Sequence, residues 1–358
     1  MSHFRQSMTY DMESEESQRP DITVIVPVYN GRAFLARCLT TLTACDYRSF
    51  DCIVVNDGST DGSGAIARKF PVRVLDLAGG PFGPAYARNR GAEAARGKIL
   101  FFVDADVMLA PDALHRIAML FQGQPTLAAA FGSYDALPEA QGVVSQYRNL
   151  LHHFVHQTGQ SEASTFWAGC GAIRHSVFET IGGFDEKRYT TASIEDIELG
   201  YRLRNAGFTI LLDKSLQGKH LKHWNLFSLL RTDISRRAIP WTRLILETGK
   251  IPSDLNLKWG QRVSFGLTAL ALGFAVLSPM APRLLVLCGA ALLAVLFLNR
   301  KLYAFFLRQK GLLFTARCVP LHLLYFVYSG LSYLYVWCEF QLKRDRFRSE
   351  GAVRRQPL

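Results

Sequence analysis

The cysteines of this sequence lack the pairing that a disulfide framework or a paired-cysteine zinc site needs. There are seven of them, an odd number, and no two stand in a CxxC arrangement. This pattern argues against both kinds of site. A GxGxxG segment is also missing after the first strand-like run, which argues against a dinucleotide-dependent dehydrogenase.

The first twenty residues lack the apolar stretch of a secretory signal peptide. They are polar and hold two Lys or Arg against four Asp or Glu. We expect residues 1–20 to form a disordered lead-in, and the domain that follows to stay in the reducing cytoplasm where it is made.

Charge is scarce along the chain and unevenly placed. Charged residues make up 20% and apolar residues 49% of the 358 positions, which excludes a disordered chain. Residues 213–358 hold 22 Lys and Arg against 7 Asp and Glu, whereas residues 21–212 have a formal charge of −2. A nucleic-acid-binding domain spreads basic residues over its folded surface. Basic residues beside apolar runs are typical of a membrane protein instead, so we expect no nucleic-acid partner.

The basic part of the chain also holds three uncharged runs, at 263–282, 284–299 and 318–338. The two outer runs are long enough to span a membrane, because a hydrocarbon core of ~30 Å needs about twenty helical residues. The middle run is shorter, but Arg283 can extend it by snorkelling. Pro279 and Pro282 predict a hairpin turn before it. We predict a membrane region over 261–342, with a buried helical core as the alternative.

The counts of Lys and Arg around these runs predict an orientation. Residues 213–262 carry ten and residues 300–317 carry five, so the N-terminal domain is expected on the cytoplasmic side of the cell membrane. The basic tail, 343–358, carries six more, although three full spans would place it outside. Either the last run is re-entrant or interfacial, or the tail violates the rule, and the sequence leaves the choice open.

Residues 226–250 mix apolar and basic positions, with Trp241 and Ile245 on one side. This pattern predicts an amphipathic helix, broken at Pro240, that lies on an anionic membrane surface. We assign residues 226–260 to such interfacial helices.

The N-terminal part alternates between strand-like and helical patterns. Four short apolar runs predict strands at 22–29, 52–57, 72–77 and 98–106. The alternation predicts an α/β fold, with a mostly parallel sheet of Rossmann type and helices on both faces. Ligands bind at the C-terminal ends of such strands. Polar residues stand at three of these ends, namely Tyr29-Asn30, Asn56-Asp57-Gly58 and Asp104-Ala105-Asp106.

The pair Asp104 and Asp106 leaves a buried strand with two carboxylates close together. Their mutual repulsion is relieved when a cation joins them, and Mg²⁺ or Mn²⁺ prefers one or two carboxylates plus phosphate oxygens. The alternative is that one Asp merely favours the start of the next helix. Asp112, beside Pro111, is better placed for that task.

Five segments, in this order, resemble the family-2 inverting glycosyltransferases of the GT-A fold: ITVIVPVYNGRAFLARCL, VVNDGSTDGS, GPAYARNRGAEAARGKILFFVDADV, FWAGCGAIRHSVFETIGGFDE and IEDIELGYRLRNAGFTI. The resemblance covers roughly residues 21–225, and it implies a GT-A domain, a nucleotide-sugar donor and a divalent ion, Mg²⁺ or Mn²⁺. The apolar runs then resemble those of the branch that glycosylates lipid-anchored or membrane-delivered acceptors.

The resemblance also implies a donor site. Pro27 and Tyr29 would flank the nucleobase, and Asp57 would bind its edge. Arg88 would lie near the donor, although a solvated helix residue paired with a carboxylate is the alternative. Asp104 would face the ribose or the metal, and Asp106 would bind the ion that bridges the diphosphate.

By the same resemblance Asp196 is the general base. The chemistry needs one carboxylate, opposite the leaving group, that takes the proton of the acceptor hydroxyl. Glu195 and Asp196 begin a helical pattern, so capping of that helix is the structural alternative.

Two short segments complete the predicted site. Trp167, Gly169 and Gly171 form an apolar, small and flexible stretch that suits the approach of an acceptor, and we place Glu195 on the same side. Trp167 fits a sugar-stacking face and a core position equally well. Downstream, His220 is predicted to bind the metal and Lys222 the diphosphate, with a basic membrane-surface patch as the alternative.

The sequence thus predicts a membrane-bound inverting transferase that moves a sugar from a nucleotide sugar to a lipid or lipid-linked acceptor. A processive polysaccharide synthase is the first alternative. It is disfavoured because the QxxRW motif of such synthases is missing near Arg236 and Trp241. The second alternative is a non-catalytic membrane scaffold that keeps the nucleotide-binding fold.

Overall fold

The computed structural model describes residues 19–250 and 258–353, with side chains up to residue 342. Nearly all of the predicted lead-in, part of the predicted interfacial segment (251–257) and the end of the predicted tail (354–358) lie outside the described residues. The chain divides into two compact units. The first unit comprises residues 19–139 and 160–222, and the second comprises 140–159 and the described residues from 223 onwards.

An eight-stranded sheet forms the centre of the first unit, in the order β3-β2-β1-β4-β7-β6-β8-β5. Its strands are β1 (Ile22–Val28), β2 (Phe50–Asn56), β3 (Arg73–Asp76), β4 (Ile99–Val103), β5 (Val107–Leu109), β6 (Ala129–Tyr134), β7 (Cys170–Arg174) and β8 (Ile210–His220). The pairings β1–β2, β1–β4 and β2–β3 are parallel, as expected from strands that alternate with helices. The predicted α/β fold class is confirmed.

The other half of the sheet is mixed. Strand β7 pairs antiparallel with both β4 and β6, while β6 runs parallel to β8. The predicted strand 98–106 ends at Val103, and residues 107–109 form the separate strand β5, which pairs antiparallel with β8. The turn between β4 and β5 therefore carries Asp104 and Asp106 out of the sheet.

The described residues up to 222 also form seven helices: α1 (Arg32–Thr43), α2 (Ser63–Ala67), α3 (Pro84–Glu93), α4 (Ala113–Gly123), α5 (Val143–Gln157), α6 (His175–Thr180) and α7 (Glu195–Asn205). Leu35, Leu39 and Leu42 recur at helical spacing on α1 and are fully buried against the sheet. Helix α5 belongs to the second unit, although the sequence places residues 140–159 inside the predicted domain 21–225.

The second unit is helical. After α5 it contains α8 (Leu226–Asp233), a π-helical turn (Ile234–Ala238), α9 (Ile239–Thr248), α10 (Trp259–Leu277), α11 (Leu284–Leu298) and α12 (Arg300–Val353). The predicted break at Pro240 takes the form of the π-helical turn just before it. Proline has no N–H to donate, and the N–H of Ile239 reaches back five residues to the carbonyl of Ile234.

Two described helices are long and apolar enough to cross a membrane, α10 and the segment Arg300–Leu342 of α12. Only 17% and 28% of their most apolar stretches are buried within the protein. Helix α11 is shorter, at 15 residues. Pro279 and Pro282 lie in the turn between α10 and α11, where the sequence predicts a hairpin.

A buried ion pair ties the helices of the second unit together. Arg148 on α5 lies 3.1 Å from the carboxylate of Asp233 at the end of α8. The same carboxylate accepts a hydrogen bond of 2.6 Å from the hydroxyl of Tyr328 on α12. Both charges are thus enclosed by partners from three helices.

Candidate active site

Three strand ends bring polar residues to one edge of the sheet. Strands β2, β1 and β4 are parallel neighbours, so their C-terminal ends lie side by side. Tyr29 follows β1 and is exposed, Asp57 follows β2, and Asp104 follows β4. Pro27 lies half-buried within β1, opposite Val55. The structure therefore gathers these predicted donor-site residues at the edge where an open α/β sheet binds its ligand.

Asp57 is buried and holds a loop. Its carboxylate accepts hydrogen bonds from the N–H groups of Phe82, at 2.9 Å, and Gly83, at 2.8 Å. Gly83 has φ 98°, and a Cβ at this position would lie 2.4 Å from the carbonyl oxygen of Thr190, so only glycine fits. Because Pro84 then begins α3, Asp57 fixes where that helix starts.

Arg88 on α3 is buried, with 5% of its surface exposed. One terminal nitrogen lies 2.8 Å from Asp104 and the other lies 2.8 Å from Glu195. Burial opposes its charge, but these carboxylates more than compensate and raise the pKa of Arg88. Arg88 is therefore not a solvated surface residue, and its paired carboxylates come from distant parts of the chain.

Asp106 lies on the other side of the β4–β5 turn and faces His220 at the end of β8. Its carboxylate is 3.5 Å from the imidazole. The ring of Tyr134 stacks on His220 with 4.2 Å between centroids and meets Trp167 edge to face. Burial opposes the charge of Asp106, but the hydrogen bond and charge of His220, with help from Lys222, hold its pKa below the usual value. Lys222 itself is exposed.

The three residues predicted to bind the metal are only partly brought together. Asp106 and His220 face each other, whereas Asp104 is paired with Arg88. Among the described residues there is no group of three or more His, Cys, Asp or Glu side chains that could hold a metal ion. One carboxylate and one imidazole nonetheless suit Mn²⁺, and the carboxylate suits Mg²⁺, when phosphate oxygens and water supply the remaining ligands. The donor set fits a metal shared with a ligand.

Asp196 stands in the first turn of α7, next to Glu195. Its two carboxylate oxygens accept hydrogen bonds from the N–H groups of Ala168, at 3.1 Å, and Ile197, at 2.8 Å. Neither Glu195 nor Asp196 is the N-cap residue, which is Ile194. Burial raises the pKa of Asp196 to about 7, the charge of Glu195 adds to the effect, and Arg88 opposes it. A carboxylate with this pKa is suited to accept a proton near neutral pH.

The predicted acceptor glycines are explained by packing. A Cβ on Gly169 would lie 2.5 Å from the ring of Trp167, and one on Gly171 would lie 2.3 Å from its carbonyl oxygen. Trp167 therefore fills the space that the missing side chains leave. The ring of Trp167 remains half-buried. Glu195, which was also predicted on the acceptor side, accepts hydrogen bonds on both carboxylate oxygens, one from Arg88 and one from the N–H of Ser193.

Sequence reasoning missed several groups that shape the site. Tyr134 ends a strand that the sequence does not reveal, and the N–H groups of Phe82, Gly83 and Ala168 bind carboxylates without any side-chain signature. A local pattern cannot identify backbone donors, because every residue other than proline has one.

Comparisons with known proteins find similar sequences and a similar fold. The family model for glycosyl transferase family 2 matches residues 23–182. Glycosyltransferase GlyA of Streptococcus pneumoniae serotype 4 is 35% identical over 128 residues, which are 34% of this chain and 18% of the relative. Validoxylamine A glucosyltransferase of Streptomyces hygroscopicus subsp. jinggangensis is 27% identical over 250 residues, 59% of this chain and 58% of the relative. The chain thus spans less than two thirds of the length of either curated relative.

Among solved structures, the mannosyltransferase PcManGT from Pyrobaculum calidifontis, in complex with GDP-Man and Mn²⁺, superposes with a TM-score of 0.54. It is 18% identical, and the match covers 88% of each chain. At this identity the likeness concerns the fold alone. The chain therefore contains a glycosyl transferase family 2 domain, matched over residues 23–182, and this domain has the GT-A fold.

Proposed function

We propose that this protein transfers a sugar from a nucleotide-sugar donor to a lipid or lipid-linked hydroxyl, with inversion at the anomeric carbon. The observation that carries the proposal is the pair of hydrogen bonds that Arg88 makes to two carboxylates. One side of its guanidinium binds Asp104, at the edge predicted for the donor, and the other binds Glu195, next to Asp196. These contacts support a site that combines a donor-side carboxylate with a carboxylate that has the pKa of a general base.

The reaction assigns each group one task. Asp196 takes the proton of the acceptor hydroxyl as the hydroxyl oxygen forms a bond to the anomeric carbon. The bond between that carbon and the diphosphate oxygen breaks, and the nucleoside diphosphate leaves with the electron pair. Because the acceptor enters opposite the leaving group in a single displacement, the configuration inverts. Tyr29 and Pro27 flank the base of the donor, while Asp57 holds the loop beside it.

A divalent cation, Mg²⁺ or Mn²⁺, would be held by Asp106 and His220. When bound, it neutralises the charge that grows on the leaving diphosphate. Lys222 adds a second positive charge near Asp106. Asp104 supports this side of the site through its contact with Arg88 rather than as the main metal ligand.

The second unit supports a membrane setting. Helices α10 and α12 expose most of their apolar stretches, and Phe227 on the predicted interfacial helix α8 is 74% exposed. Apolar helices of this length with exposed faces suit a bilayer rather than water. We propose a multi-pass protein of the cell membrane with the first unit in the cytoplasm and the acceptor delivered by the membrane.

The nature of the donor is supported by relatives. The Pyrobaculum mannosyltransferase is described in complex with GDP-Man and Mn²⁺. A second structure, residues 1–349 of TarS from S. aureus in complex with UDP-GlcNAc, has a TM-score of 0.50 at 17% identity and covers 90% of this chain. Both support a nucleotide sugar as the donor class, with a different base in each.

The test is a screen of the purified full-length protein with nucleotide sugars and extracted membrane lipids, at saturating Mg²⁺ or Mn²⁺. Mass spectrometry of the lipid fraction should reveal one sugar added per acceptor, and NMR of the product should show inversion. Long polymer would identify a processive synthase. Nucleotide binding without transfer from any donor to any lipid would support the scaffold and refute the proposal.

A further inference from the structure

We infer that Arg88 is a positioning residue, which sets the place and basicity of Asp196 without contacting the donor. This inference rests on the proposed function and deepens it. Among the residues that the structure describes, only Arg88 has a side chain that joins the turn after β4 to the start of α7, through hydrogen bonds of 2.8 Å to Asp104 and to Glu195. Its burial leaves little surface for a ligand.

The contacts around Arg88 form a closed ring. Arg88 donates to Asp104, and the backbone N–H of Asp104 donates to the carbonyl of Gly169 at 3.2 Å. The neighbouring Ala168 donates its N–H to Asp196 at 3.1 Å. Asp196 is bonded in sequence to Glu195, which accepts from Arg88. Each member of the ring is thus held from two sides.

The ring matters because Asp196 makes no ion pair of its own among the described residues. Its carboxylate is oriented by two backbone N–H groups, those of Ala168 and Ile197. These N–H groups keep their positions only as long as the segment 168–169 and the start of α7 keep theirs. Arg88 connects the two elements, so its guanidinium fork determines the angle at which Asp196 meets an acceptor hydroxyl.

Charge adds a second effect. The charged groups that act on Asp196 are Glu195, on the same helix, and Arg88, from α3. Glu195 raises the pKa of Asp196 and Arg88 lowers it. Removing one or the other should therefore move the pH dependence of transfer in opposite directions. A residue that merely supported the fold would not produce this pair of opposite shifts.

The experiment compares Arg88→Gln, Arg88→Lys and Glu195→Gln in the purified full-length protein. For each variant, the dissociation constant of the nucleotide sugar, kcat and the pH midpoint of kcat/KM are measured, and thermal unfolding reports on folding. The matched controls are Arg116→Gln and Arg116→Lys, because Arg116 also pairs with a carboxylate, Asp112, but lies half-exposed on α4.

Arg88→Gln should lower kcat by about 100-fold, the size of effect that a misplaced base produces, and should move the pH midpoint upward. Glu195→Gln should move it downward. Arg88→Lys keeps the charge but can reach only one carboxylate well, so the midpoint should stay near that of the wild type while kcat falls. Donor affinity should change by less than about threefold in all three, and the controls should match the wild type.

The inference is overturned if Arg88→Gln weakens donor binding in proportion to its loss of kcat/KM, since Arg88 would then contact the donor. It is also overturned if Arg88→Gln and Glu195→Gln shift the midpoint in the same direction. Should Arg88→Gln fail to fold, Arg88→Lys still tests whether kcat falls without a loss of donor affinity, and Glu195→Gln still tests the downward shift of the midpoint; a proportional loss of donor affinity in the first or an upward shift in the second overturns the inference. A wild-type protein that transfers no sugar refutes the proposed function itself, and this inference with it.

Discussion

Arg88 in the first unit and the largely buried Arg148 in the second are each paired with a carboxylate, and the two pairs differ in what surrounds the partner. In the second unit, the side chain of Asp233 is 6% exposed and is closed off by Arg148 and Tyr328. In the first unit, the partner Asp104 has a side chain that is 33% exposed and lies at the open edge of the sheet. The chemistry of the ion pair is the same in both. Access to the partner carboxylate is what distinguishes a structural pair from part of a site.

The largest effect is expected at the site. Asp196→Asn keeps the shape of the side chain but cannot take a proton, so transfer should fall by about 10²–10⁴-fold, while donor binding stays unchanged. Transfer assays and nucleotide titrations of the same preparation measure both. Asp112→Asn, a partly exposed carboxylate on the same unit, is the control. Full cellular function of the Asp196→Asn variant would instead favour the scaffold.

The arginine of the second unit should act on stability alone. Arg148→Met leaves the buried Asp233 with the more exposed Arg237, 3.3 Å away, as its remaining cation, so the free energy of unfolding should fall by at most about 3–5 kcal/mol, the cost of a buried charge with no partner. The double change Arg148→Met and Asp233→Leu should recover much of this loss, because no buried charge remains. Chemical denaturation in detergent measures the difference. Loss of transfer per folded molecule would contradict a purely structural role for this pair.

Metal binding should depend on Asp106 and His220, which Arg88 does not contact. Chelation with EDTA should abolish transfer, and Mg²⁺ or Mn²⁺ should restore it. Asp106→Asn and His220→Gln should each raise the metal concentration needed for half-maximal transfer by about 10–100-fold. Glu93→Gln, an exposed carboxylate on α3, is the matched control. Unchanged activity after exhaustive chelation would contradict the proposed dependence of transfer on a divalent cation.

The smallest effect is expected from pH. The base must be unprotonated, and the pKa of Asp196 is raised to about 7 by burial and by Glu195. The value of kcat/KM should therefore fall through a midpoint near pH 7, by about tenfold for each further pH unit below it. An ordinary aspartate would leave the profile flat between pH 5 and 8. A flat profile would contradict the assignment of Asp196 as the base.

The donor edge could be predicted from sequence because it depends on local patterns. Strands β1, β2 and β4 appear as short apolar runs, and Tyr29, Asp57 and Asp104 follow them directly. Parallel neighbours then bring these residues to one edge without any further information. The mixed half of the sheet was not predicted, because β6, β7 and β8 pair over long sequence separations that no local pattern reveals.

Arg88 illustrates what sequence patterns miss. On α3 it looks like any helical arginine, and a solvated position and a donor contact were both reasonable interpretations. Its burial follows from partners 16 and 107 residues further along the chain. Residues 140–159 belong to the second unit instead of the predicted domain 21–225. The reason is the same, because long-range contacts that no local pattern reveals decide where α5 packs.

The order of apolar runs, turns and carboxylates was enough to determine the α/β class, the polar strand ends and the apolar C-terminal helices, since each depends on neighbours within a few residues. Only the tertiary structure decided which carboxylate pairs with Arg88, which one faces His220 and which one keeps a pKa near 7. Those outcomes depend on burial and on charges brought together from distant segments, and electrostatic interactions of this kind are set by distance in space.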